Sequence, residues 1–267
     1  MIRLPREGSP PVHGTSWTGG IGRFLPWLRL AALELFLVAV LYLLYKAGRT
    51  MIRGQEETAV MHAGEVRQIQ SWLRLPDEAA IQASIDSEPV VWLLNVYYVS
   101  MHFPVTIAFL LIGYLFRSRA DYRWARNLIV VQTGLALIVH MLYPLAPPRM
   151  FPEWGFTDTM AEIGPSAYDG ASATVANQFA AMPSLHVGWA VLIAYVLVRT
   201  GPRWLACAGV AHALVTCAIV IITANHWWLD GAAAVALLGV ALAVFPAPSR
   251  VLRPSIPRRT STCSLSA

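Results

Sequence analysis

The sequence predicts an all-α, polytopic membrane protein with six transmembrane helices and both termini cytoplasmic. Three observations carry this reading. Of the 267 residues, 56% are hydrophobic and only 13% charged, a balance rarely found in a soluble domain of this length. Six apolar stretches, at about 27–46, 90–116, 125–143, 184–199, 204–224 and 227–245, approach or exceed the roughly 20 residues a helix needs to cross a hydrocarbon core of about 30 Å. Basic residues also segregate: with the N terminus inside, 14 of the 20 Lys and Arg fall on one side, as the cytoplasmic bias of these residues requires.

Residues 1–26 are read as a cytoplasmic segment carrying Arg3, Arg6 and Arg23. The apolar run from Trp27 to Tyr45 is longer than the 7–15 residues or so of a secretory signal, so it is read as a retained first span. Residues 27–89 form a unit of that span and an outer segment, in which the mixed run Thr58 to Leu73 predicts a helix lying on the membrane surface. That segment is expected to be scaffold or a lid.

Residues 90–245 are the expected catalytic membrane domain. Its first span contains NVYYVSMHFPV, where Asn95, Tyr98 and His102 share one helical face, and Pro104 is expected to bend it. Polar groups inside a bilayer face the bundle or a wet cavity, so this stripe is read as scaffold or as lining of a substrate path. His140 closes the next span and is read as an interfacial anchor or a member of the same path; His212 is read as an anchor. Residues 144–183 are dense in Pro and Gly and include Asp169 and Gly170, which predicts an ordered, irregular loop of a length commonly tied to function. Trp227 and Trp228 suit an interfacial aromatic belt.

Residues 246–267 are basic and are read as a disordered cytoplasmic tail near anionic lipid. The net charge of +5 follows from topology. No basic patch is interleaved with exposed aromatics, so no nucleic-acid partner is predicted. Cys207 and Cys217 would stand about 15 Å apart along one helix, beyond disulfide reach, and Cys263 lies in the tail.

The ionisable residues beside the spans gather on the outer side. Arg149 follows the third span, Ser184 and His186 open the fourth, and His226 and Asp230 stand four apart at the start of the sixth, a spacing that puts both on one helical face. A histidine held by a carboxylate has one tautomer favoured and is stabilised when cationic, which makes His226 with Asp230 a candidate nucleophile and orienter. His186 could protonate a leaving oxygen. Arg149 offers a planar fork for phosphate oxygens, and Ser184 or helix-start N–H groups could complete an anion site. A zinc site of His186, His226 and Asp230 has acceptable ligand types, but no HExxH motif or cysteine pair supports it, and neither metal nor cofactor is predicted.

The ordered set YPLAPPR, MPSLH and NHWWLD resembles the type 2 phosphatidic acid phosphatase superfamily, and within it the inositol phosphorylceramide synthase-like and sphingomyelin synthase-like lipid phosphotransferases. The resemblance covers roughly residues 90 to 245, and NVYYVSMHFPV is similar to that branch too. It implies a six-span, metal-independent enzyme of the cell membrane with its active site on the extracytoplasmic face. It further implies that His226 attacks phosphorus to form a phosphohistidine, that Asp230 supports it, that His186 protonates the departing alcohol and that Arg149 holds phosphate oxygens. The chain departs from the wider superfamily at Val220, where an arginine stands six residues before the nucleophile, and at Leu142, where a lysine stands seven before the motif arginine. Fewer cations favour a phosphodiester or diphosphate-linked lipid over a monoester. The expected partners are a lipid phosphate and the membrane; phosphatidate or isoprenoid (di)phosphate hydrolysis is the alternative within chemistry, and a non-enzymatic lipid-binding or transport protein the alternative outside it.

Overall fold

A computed structural model describes residues 21–51, 54–166 and 177–248. The expectations for residues 1–20, for the tail from 249 onward, and for Asp169 and Gly170 lie outside the described residues. The chain divides into two units between Tyr42 and Leu43, a boundary that falls within the long helix α1 (Ile21–Met51).

Within the second unit follow α2 (Glu56–Trp72), α3 (Glu78–Ala83), α4 (Glu88–Phe116), α5 (Arg119–Leu142), the short α6 (Thr159–Glu162), α7 (Leu185–Thr200), α8 (Arg203–Ile222) and α9 (Trp228–Val244). Among the described residues the regular structure is all helical, with one isolated bridge between Leu145 and Ala180. Three helices, α4, α5 and α8, are long and apolar enough to cross a membrane; α7 and α9 are shorter and equally apolar. α4 leaves Leu93, Phe103, Ile107, Leu111, Ile112 and Phe116 exposed, a continuous apolar surface that water would not tolerate and lipid would. These helices mark a membrane protein.

Two helices begin at serine caps. Ser118 caps α5 by accepting the Asp121 N–H, and Ser184 caps α7 by accepting the Val187 N–H. α4 runs as a single helix across Pro104, although that residue has no N–H to give to the helix.

α7 packs most extensively on α8, and α5, α7 and α9 enclose a core of Trp124, Leu128, Ile129, Leu192, Val196 and Leu238. At one end of this bundle lies a second core, where Ala59, Ala63 and Val66 of α2 pack under Leu145, Phe151 and Trp227. This end carries residues 144–166 and is called the loop end. The opposite end is marked by the Arg117 guanidinium on the Thr200 carbonyl and by the Trp124 indole on the Phe245 carbonyl.

Candidate functional site

The site grows out of the turn between α8 and α9. Ala224 adopts a left-handed φ of 50°, a conformation that costs a residue with a Cβ about 1–2 kcal/mol. It folds the chain back, so that the Asn225 and His226 N–H groups both reach the Val220 carbonyl. His226 therefore precedes α9 rather than lying on it, which corrects the expectation of a shared helical face. The four-residue spacing still brings the pair together, because Asp230 is the third residue of α9 and its Oδ2 turns back to accept the Trp227 N–H at 2.8 Å.

The same Oδ2 lies 3.2 Å from Nδ1 of His226, which is also 2.9 Å from the Ala181 carbonyl. A carbonyl can only accept. Nδ1 must therefore carry the proton, and Nε2 holds the ring's lone pair. Both residues are buried, Asp230 completely. Ala181, which fixes the tautomer through its backbone, carries no chemical signature in its side chain and is invisible to motif reading.

The His186 ring centroid is 5.8 Å from that of His226. Its plane is set by rings rather than hydrogen bonds: Tyr98 stacks on it at 4.3 Å and His102 stands 4.1 Å away. His102 in turn stacks on Trp189 at 4.5 Å. A small cavity of about 10 Å³ between α4, α7 and α8 is lined by Tyr97, Tyr98, His102, His186 and His212. Asn95 and His140, read as scaffold, anchor or substrate path, are not among the residues lining it. Asn95 is buried and ties α4 to the loop through the Thr159 hydroxyl and carbonyl. His140 donates from Nε2 to the Pro183 carbonyl and so holds the approach to α7.

Arg149 is buried in a short 3₁₀ turn, Pro148–Met150. Its N–H bonds to the Ala224 carbonyl, its Nε reaches Asn225 at 3.3 Å, and its Nη1 pairs with Asp158 at 3.1 Å. The phosphate-binding candidate is thereby anchored to the His226 turn. Ser184 is committed to capping α7 through its Oγ, while its N–H bonds to the Asp230 carbonyl; it joins the two histidine-bearing segments.

Two expectations need correction, those for Trp227 and His212. Trp227 is 1% exposed and donates to the Ala146 carbonyl, so it is core rather than belt. Trp228 is half-buried and donates from its indole to Pro76. His212 sits mid-helix rather than at an interface and bonds the Tyr97 hydroxyl at 2.7 Å.

A helix forms over most of the run Thr58 to Leu73, as α2, and α2 and α3 reach the site. The His62 Nδ1 donates to the Pro144 carbonyl with its ring stacked on Tyr143. Burial pushes the Tyr143 phenol up to about 12, helped by its bond to Glu65, so it stays a donor. Glu78 and Gln70 accept N–H groups of α9. Burial pushes the Glu78 carboxyl above its usual range, against the opposing pull of the Trp228 N–H. Among the described residues no three His, Cys, Asp or Glu side chains gather as a metal site would need.

A family model described as PAP2 superfamily matches residues 64–244. The chain belongs to the PAP2 superfamily. Neither the curated proteins nor the solved structures compared with it gave a match. Members of the PAP2 superfamily are generally phosphatases or phosphotransferases, which supports an enzyme of that broad kind. The match begins inside α2, so it takes in α3 and most of the surface segment as well as the membrane helices.

Proposed function

We propose that this PAP2 protein transfers or hydrolyses a phosphorylated lipid headgroup through a phosphohistidine on Nε2 of His226, at the extracytoplasmic mouth of a six-span bundle. The observation that carries this reading is the tautomer: with Nδ1 committed to Ala181 and Asp230, the second nitrogen is the nucleophile. In the first step the Nε2 lone pair forms a bond to phosphorus, the bond from phosphorus to the alcohol oxygen breaks, and His186 gives that oxygen its proton. The Asp230 carboxylate supports the positive charge growing on the His226 ring, and Arg149 exchanges Asp158 for phosphate oxygens. In the second step His186 takes the proton of water or of a second alcohol, whose oxygen displaces Nε2.

Val220 and Leu142 stand where the wider superfamily has cations, which favours a substrate with fewer charges than a phosphomonoester. The likeness of NVYYVSMHFPV to the lipid phosphotransferase branch favours transfer to an alcohol. The lipid tail would lie along the apolar face of α4, with the cavity beside His186 receiving the alcohol oxygen. His226→Ala and His186→Ala are each expected to lower turnover on a panel of radiolabelled lipid phosphates by at least about a hundredfold, and the wild type to carry acid-labile phosphate. Wild-type turnover in both folded variants would sink the mechanism. Scoring water-soluble against lipid products separates hydrolysis from transfer.

A further inference from the structure

A helix begins with N–H groups that have no partner within it, and a buried helix start must find acceptors elsewhere. At α9 every early donor can be traced. The Trp227 N–H goes to Asp230 Oδ2, the Trp228 N–H to Glu78 Oε1 at 3.1 Å, the Leu229 N–H to Gln70 Oε1 at 3.1 Å, and the Asp230 N–H to the Trp227 carbonyl. The residue at the capping position, Trp227, has no side-chain acceptor. Two caps therefore come from about 150 residues earlier, and Gln70 Nε2 locks them together with a 2.7 Å bond to Glu78 Oε1. Both side chains are buried.

One turn along α3, Gln82 reaches the other end of the same hairpin. Its Nε2 donates to the last carbonyl of α8, that of Ile222, at 3.1 Å, while its amide also pairs with both backbone groups of Thr157. Glu78 and Gln82 are four apart, on one face of α3. This helix thus brackets residues 222–228, the turn that holds His226.

We infer that Gln70 and Glu78 are positioning residues for His226: by capping α9 from the surface segment they leave Asp230 to the histidine and fix the direction of its reactive nitrogen. The inference rests on the phosphohistidine reading of the site. The reason is competition for one carboxylate. Asp230 is the nearest acidic group to the Trp228 and Leu229 N–H groups in sequence, and its Oδ1 is buried with no hydrogen-bond partner among the described residues. With the outside caps removed, the two orphaned donors draw that carboxylate toward themselves and away from Nδ1. The surface segment is then part of the catalytic apparatus, although it touches no reacting atom.

Orthovanadate, which mimics five-coordinate phosphorus, tests this without knowledge of the lipid. Full-length wild type and the variants Glu78→Leu, Gln70→Leu, Glu78→Gln and His226→Ala are placed in phosphatidylcholine nanodiscs. Vanadate affinity per folded molecule and the unfolding midpoint are both measured. His226→Ala is expected to abolish binding. The two leucine variants should weaken it by about tenfold or more, since small misplacements at a reacting centre are costly. Glu78→Gln keeps an acceptor for the Trp228 N–H and should bind within about threefold of wild type, a rescue by hydrogen bonding rather than charge. If both leucine variants unfold more easily yet bind vanadate as the wild type does, Glu78 and Gln70 only stabilise the fold, and the inference fails while the site reading stands. If wild type and His226→Ala bind alike, the site reading itself fails. Should Glu78→Leu not fold, Gln70→Leu, which leaves the carboxylate on Trp228, decides the matter by the same comparison.

Discussion

At the scale of single residues, the site differs from a Ser-His-Asp triad in how it holds its histidine. In a triad the carboxylate alone sets the tautomer, and its conversion to an amide costs about 10⁴-fold in rate because the wrong nitrogen carries the proton. Here the Ala181 carbonyl shares Nδ1 with Asp230 and cannot donate, so it enforces the tautomer by itself. Asp230→Asn is therefore expected to lose the charge support but keep the tautomer, with a fall in kcat of roughly ten- to a hundredfold rather than 10⁴-fold. Steady-state kinetics on a turned-over lipid decides this, and a triad-sized loss would show that Ala181 does not act as described. Asp158 allows a second test. Its carboxylate holds the Arg149 Nη1 at 3.1 Å while remaining 30% exposed, so it competes with incoming phosphate at a modest, screened strength. Asp158→Asn keeps an oxygen to cap Ala161 and should tighten inhibition by inorganic phosphate a few-fold, on the order of 1 kcal/mol or less; unchanged or weaker inhibition counts against Arg149 as the phosphate ligand.

At the scale of elements, hydropathy located α4, α5 and α8, the three helices long and apolar enough to cross a membrane, because lipid favours a long, uninterrupted apolar signal, while the six expected spans include stretches that form shorter helices. The expected run 204–224 becomes α8 at Arg203–Ile222, and 90–116 becomes α4 at Glu88–Phe116. The gathering of Arg149, His186, His226 and Asp230 was legible too, since each sits where a span meets the same loop end. What stayed hidden are contacts between residues far apart in sequence. Gln70 and Glu78 look like ordinary polar residues of a surface helix, and only the fold reveals that they face α9. Trp227 was misread for a related reason: a tryptophan beside a span signals an interface, yet the loop end covers it with Phe151, Trp154 and Phe156. Helix pairing is equally silent in hydropathy. A Cβ added at Gly209 would stand 3.2 Å from the Ala194 Cα and 3.0 Å from the Leu197 Cδ1, and the backbone contact cannot be relieved by a rotamer change. Gly209→Ala gains up to about 1 kcal/mol of helix propensity, against an overpacking cost of about 1–3 kcal/mol. The balance predicts a lower unfolding midpoint in detergent, and a raised one would show that α7 and α8 have slack between them.

At the scale of the whole molecule, the helices sort their charges by end. The loop end carries the His226 turn, Arg149 and the acidic residues Glu78, Glu153 and Asp158. The opposite end carries Arg117, which reaches the Thr200 carbonyl, with Arg119 two residues further on and Arg199 and Arg203 flanking the turn between α7 and α8. Lys and Arg near span ends resist translocation, whereas Asp and Glu contribute little, so the arginine-rich end is expected in the cytoplasm and the site outside. On the proposed reading, an enzyme so oriented would act on the outer leaflet. The orientation can be tested directly with single cysteines introduced after Cys207, Cys217 and Cys263 are replaced by alanine. Glu153→Cys lies on an exposed part of the loop and Arg203→Cys on an exposed helix start at the other end. A membrane-impermeant maleimide added to intact cells should label the first and reach the second only after permeabilisation. The reverse pattern would place the site in the cytoplasm and overturn the outer-leaflet reading, while leaving the geometry of His226, Asp230 and His186 as the chemistry requires.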